Sequence, residues 1–74
     1  MSFSENYVEN KVVEVVRGAE KGLTFEELRE YLESQGIYLN SVELRKVVAS
    51  LIKRGTLCKY PSFERRKLLL KLCR

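Results

Sequence analysis

Three helices followed by a two-stranded hairpin is the architecture this sequence predicts: one mainly α domain with a small β-hairpin at its C-terminal end. Three observations carry it. Apolar residues recur at helical spacing in three stretches, each opened by a residue suited to capping a helix. Glycines at 18, 22, 36 and 55 punctuate those stretches. After Gly55 the pattern changes to period two, in two runs separated by a break that contains the single proline.

The stretch from Asn40 to Gly55 is the most informative. Asn40 suits the cap and Glu43 can reach back to the cap's N–H, a variant of the capping box. Leu44, Val47, Val48, Leu51 and Ile52 fall on one helical face, and Gly55 suits the left-handed residue past the end. These signals place a helix at about 41–54. The face opposite the stripe holds Val42, Arg45, Lys46, Ala49, Ser50 and Lys53, with Glu43 at its margin. Solvated helices usually mix charge signs. This face is basic, and its small residues leave room for the close approach of a partner.

Upstream, Ser4 can cap a helix at about 5–17, with Val8, Val12, Val15, Val16 and Ala19 as its stripe. Valine is a modest helix former, so packing has to hold this helix. Val13, off the stripe, could form an apolar patch with Tyr7 and Phe3. Met1 to Phe3 should be loose unless Phe3 docks. Leu23 can add a short strand after the Gly22 turn. Thr24 and Glu27 form a second capping box, opening a helix at about 25–35 with Phe25, Leu28, Tyr31 and Leu32 on one side. Ile37 and Leu39 are expected as core plugs beneath the next turn.

Downstream, Thr56–Tyr60 and Lys67–Leu72 read as hairpin strands within about 56–72, with Pro61 to Arg66 as the break. Leu68, Leu70 and Leu72 should face the core, and Lys67, Leu69 and Lys71 should face out. If Tyr60 pairs near Lys67, Cys58 lies near Leu69 and Cys73 is out of its reach. Two reduced thiols are then expected, with oxidation reserved for a hyperthermophilic setting.

Seventy-four residues make one small domain of marginal stability. Its charge is unevenly placed. Residues 1–37 carry four cations against eight glutamates, net −4, and residues 38–74 carry ten cations against two, net +8. Such asymmetry points to a polyanionic partner. The chain has no His and no Asp, no Gly-rich phosphate loop and no Cys-x-x-Cys. General acid–base, triad and zinc chemistries lean on such residues, so no enzyme, metal, cofactor or small-molecule substrate is expected. No apolar run approaches the roughly 20 residues of a membrane span, and no basic-then-apolar leader opens the chain. A cytoplasmic, nucleoid-associated protein is the expectation.

With these residues in place, the order resembles a winged-helix domain, a variant of the helix-turn-helix. The resemblance runs through Gly22-Leu23-Thr24-Phe-Glu-Glu-Leu28, Gly36, Asn40-Ser41, Leu44-x-x-Val-Val-x-x-Leu-Ile-x-x-Gly55 and the hairpin, and it covers nearly the whole chain. Small Lys/Glu-rich domains of this kind resemble transcription regulators of archaea and their viruses. The resemblance implies double-stranded DNA as the partner and regulation by promoter occupancy. It makes residues 41–54 the recognition helix in the major groove, with Arg45 the leading base reader, Lys46 and Lys53 mainly on phosphates, and sequence choice resting on Arg45, Lys46 and Ser50. It places Ser41, and Thr24 with Lys21, at phosphates near helix starts. Arg65, Arg66 and Lys67 would grip a phosphate or the minor groove from the wing tip, where Glu64 departs from a purely basic pattern. Tyr38 could reach a phosphate or pack. A homodimer through the Val-rich first helix, Phe3 and Tyr7 would double the reading frame on a palindromic site. The competing expectation is a winged helix that docks proteins, a small subunit of a transcription, replication or sorting complex, using the acidic helices or the Leu-rich hairpin.

Overall fold

The computed structural model describes residues 4–73, and within them the chain forms three helices and one antiparallel hairpin. Helix α1 spans Glu5–Gly18, α2 Phe25–Ser34 and α3 Ser41–Lys53; strands β1 and β2 span Leu57–Ser62 and Lys67–Leu72. The expectations for Met1 to Phe3 lie outside the described residues.

Each helix begins where its side chains can satisfy its first N–H groups. Ser4 Oγ accepts from the Tyr7 N–H at 3.2 Å. Both capping boxes form in full. Thr24 Oγ1 accepts from the Glu27 N–H (3.1 Å) while Glu27 Oε1 accepts from the Thr24 N–H (3.0 Å). Asn40 and Glu43 make the same exchange at 2.8 and 3.2 Å. Such caps contribute on the order of 1 kcal/mol each.

The core is a single apolar cluster. Val8, Val12 and Val16 from α1 meet Leu28 and Leu32 from α2, and Leu44, Val47, Val48 and Leu51 from α3. Ile37 plugs the turn between α2 and α3, and Leu39 packs at the margin. Leu57 and Leu70 are the hairpin's buried contribution. Val13 and Val15 pack partly against this cluster and so belong to the fold more than to an outer patch. Arg54 Nη2 at the end of α3 lies 2.6 Å from Glu9 Oε1 on α1, tying the first and third helices together.

Leu23 adds the short strand contact. Its N–H donates to Leu70 O at 3.0 Å and its C=O accepts from the Leu70 N–H at 2.6 Å, on the edge of β2 away from β1. Gly22 makes this approach possible. It sits at φ +89°, and a Cβ there would stand 2.9 Å from Lys71 Cγ and 3.3 Å from Leu70 O.

The hairpin register corrects the sequence reading. Leu57 pairs with Leu72, Cys58 with Lys71, Tyr60 with Leu69 and Pro61 with Leu68, two residues off the expected alignment. The reason is that Pro61 and Ser62 stay in the strand, which shortens the loop to Phe63–Arg66. Leu70 spends both its backbone groups on Leu23, so Leu70–Lys59 is a non-hydrogen-bonded pair and, by alternation, so is Pro61–Leu68. The missing N–H of Pro61 therefore falls on the open edge of β1, where a proline is tolerated.

Two consequences follow from that register. Cys73 becomes the diagonal neighbour of Cys58, with Cα atoms 5.2 Å apart, and the two form a disulfide. The expectation of two free thiols is overturned. Leu68 shares the inward face of Leu70 but is 53% exposed, lining an open groove instead of joining the core. It was expected in the core. Leu69 does lie on the outward face, half-buried opposite Tyr60. None of the described helices is long and apolar enough to cross a membrane.

The disulfide closes a loop with a sequence separation of 15, worth roughly 3 kcal/mol by loop-closure entropy. Denaturant unfolding with and without reductant should differ by about that amount, with the oxidised form more stable. Coincident curves, with the bridge confirmed by thiol alkylation and mass, would remove this role.

Candidate nucleic-acid interface

The cations fall into two groups, those held by acids and those left to solvent. The hairpin tip belongs mostly to the first. Arg65 grips Glu27 with both arms of its guanidinium, Nη1 to Oε1 at 2.9 Å and Nη2 to Oε2 at 2.8 Å. Lys67 Nζ donates to Glu26 Oε1 at 3.3 Å. The Arg65 N–H also donates to Ser62 Oγ at 3.3 Å, closing the loop from inside. Arg66 adopts φ +55°, a left-handed turn position that few non-glycine residues occupy. The tip is therefore fastened to the first turn of α2, and Glu27 serves both the helix cap and the fastening.

The Glu27 carboxylate titrates well below its ordinary range, pulled from 4.5 to about 2. The hydrogen bonds from Arg65 are the main cause, followed by the bond from the Thr24 N–H. Arg65 is raised in turn by its bond to Glu27.

The outward face of α3 belongs to the second group. Arg45, Lys46 and Lys53 are exposed there, with Ala49 exposed and Ser50 half-buried between them. None of the three is within 4.0 Å of a carboxylate among the described residues. Glu43, the acid nearest to them in sequence, is engaged in its own capping box. Arg45 lies over the Phe25 ring, 5.8 Å from the guanidinium carbon to the ring centroid, which orients its stem without neutralising its charge. Lys59 on β1 and Arg66 at the tip are further exposed cations outside these ion pairs.

An open, mostly apolar groove separates α3 from the hairpin. Phe25, Val48, Ile52, Leu68 and Leu70 line it, with Arg45 and Lys59 on its rim. A second hollow lies at the tip, between Pro61, Phe63 and Leu68, and Leu68 lines both.

The hydroxyls expected at helix starts are differently placed. Thr24 is 4% exposed and its oxygen is turned into the α2 cap. Ser41 Oγ accepts from Arg29 Nη1 at 3.0 Å, which anchors the start of α3 to α2. Lys21 is exposed on the connector beside Gly22. Tyr38 is 72% exposed, a poor position for a packing residue. Tyr7 is also exposed, with Lys11 Nζ 5.9 Å from its ring centroid. Two features were missed by reading sequence. The glutamates that hold the tip lie some forty residues before it, and no local pattern pairs them. Phe63 lies inside the Pro61 to Arg66 break, where turn chemistry alone gives it no role, yet it is the most exposed large apolar residue described, at 91%.

Glu27 is depressed in the folded chain, so its stabilising effect is complete above its unfolded value of 4.5 and is lost as pH falls from there through about 2. Backbone NMR across that window should show the tip signals of Arg65 and Ser62 moving together with the Glu27 titration. Glu27→Gln should abolish that low-pH transition. A Glu27 midpoint near 4.5 in the wild type would mean that the tip is not fastened in solution.

No protein-family model, curated protein or solved structure matches the chain.

Proposed function

We propose that this is a double-stranded DNA-binding domain of winged-helix type, acting in transcription regulation by occupying its site. In this reading α3 lies in the major groove, the hairpin is the wing, and binding energy comes from cation–phosphate contacts with counterion release. The observation that carries it is the state of the cations. Arg45, Lys46 and Lys53 share one helix face with no acid partner among the described residues, while Arg65, Lys67, Arg54 and Arg29 are ion-paired within the fold. Arg45 is the base-reading candidate, since its guanidinium can span guanine O6 and N7. Lys46, Lys53 and Lys59 are phosphate contacts, and Ser50 offers a hydroxyl between them. Of the three tip cations, Arg66 is the one left for DNA. Lys21 sits beside the α2 start as a further phosphate contact. Thr24 and Ser41 act by holding their helices in place, with their oxygens already bonded. The partner is DNA, with no cofactor, metal or small-molecule substrate invoked and no catalysis. A homodimer through α1 and Tyr7 would extend the reading frame.

A protein-docking role is the second reading, and the groove of Phe25, Ile52 and Leu68 beside α3 favours it. One titration separates the two. Fluorescence anisotropy of a labelled random duplex should show log K falling with log salt at a slope of roughly −4 to −5, for about five neutralised phosphates. Lys46→Ala with Lys53→Ala should reduce the slope by about 2. Arg65→Ala should leave it nearly unchanged, because that charge is already spent on Glu27. No binding by the wild type at low salt would discard the DNA reading and turn attention to a protein partner.

A further inference from the structure

We propose that Phe63 is a wedge that stacks into the DNA base stack from the hairpin tip, and that the ion pairs beneath it exist to aim it. The inference rests on the DNA-binding reading above and adds a contact that the basic residues do not supply. Phe63 is 91% exposed, in the four-residue loop that joins β1 to β2. Nothing in the fold needs an aromatic ring there, and a polar residue would serve a four-residue loop better. The loop around it is held at three points. Arg65 is bonded at both arms to Glu27, Lys67 is bonded to Glu26, and the Arg65 N–H is bonded to Ser62 Oγ. Two cations that a phosphate-gripping tip would leave free are instead used to fix its position. The fixed object is then an apolar ring, in a loop that also carries exposed Glu64 and Arg66.

Position and charge together name the occupant. Leu68 lines both the hollow at Phe63 and the groove of Arg45 and Lys59, and Pro61 and Leu68 share a hairpin face with Lys59 and Leu70 by alternation. The hollow at Phe63 therefore lies on the same side of the hairpin as that groove. A protein partner for a single ring would be expected to fill that hollow with apolar side chains. A polyanion that also offers flat apolar faces is a nucleic acid. Proteins that work in the minor groove insert Phe, Leu or Pro between base steps, and a ring held in advance pays less ordering entropy than a mobile one.

The chain contains no tryptophan, so Phe63→Trp creates a single reporter at the tip. The substitution is far from the core and should leave thermal unfolding unchanged. Titration of this variant with an unlabelled duplex should quench the indole about two-fold or more as it stacks, in parallel with a rise in anisotropy of a labelled duplex. Phe63→Ala should bind with the same salt slope but lose the unstacking that a 2-aminopurine duplex reports with the wild type. Binding by anisotropy without indole quenching, or equal 2-aminopurine signals for wild type and Phe63→Ala, overturns the wedge and leaves the DNA reading intact. Absence of duplex binding by the wild type overturns both.

Discussion

A two-stranded hairpin does not hold itself together in water, and in this chain the hairpin makes up about the last quarter of the domain. Most of the long-range structure is a solution to that constraint. At its base, Leu57 and Leu70 enter the helical core, and the Cys58–Cys73 bridge ties the two strands. At mid-length, Leu23 adds a backbone bridge to the edge of β2, which Gly22 allows by having no Cβ. At the tip, Arg65 and Lys67 reach Glu27 and Glu26. Apolar burial does this work at the base, and ion pairs to the start of α2 do it at the tip.

Glu27 is where these devices meet. One carboxylate caps α2, accepts both arms of Arg65 and thereby joins a helix start to a loop 38 residues away. An exposed ion pair is ordinarily worth little, because water screens it and two long side chains lose freedom. This pair is bidentate, and one partner is already positioned by the cap, so its geometry has fewer degrees of freedom to lose. The same pairing sorts the charges. Together with the Lys67–Glu26 pair it removes two cations from the basic surface and leaves Arg45, Lys46 and Lys53 on α3 as the concentrated positive feature, which is the basis for reading α3 as the DNA-facing element.

The sequence was most legible where signals are local. Both capping boxes, the three apolar stripes and the glycine stops at 36 and 55 depend on residues within a turn or two of each other, and the helices begin where those signals lie. Leu23 as an added strand was legible from its place between Gly22 and Thr24. The hairpin was legible as a hairpin but misread in register. Pro61 carries turn propensity, and only the commitment of Leu70 to Leu23 decides that its missing N–H can face an open edge. The disulfide and the exposure of Leu68 both follow from that two-residue shift. Among the proposed contacts, the basic face of α3 was visible from helical periodicity. The bond that occupies Thr24 is its own local capping box, whereas the occupation of Ser41, Arg65 and Lys67 was not legible, because their partners are set by tertiary geometry.

The central claim is that the unpaired cations of α3 are the surface that meets DNA. The most direct test is a map of that surface: amide chemical-shift changes of the isotope-labelled chain on addition of a short duplex at low salt. The account predicts the largest changes along Arg45, Lys46, Ser50 and Lys53, extending to Phe63 and Arg66, with α1 silent. Changes centred on the acidic helices α1 and α2, or none at all, would contradict it.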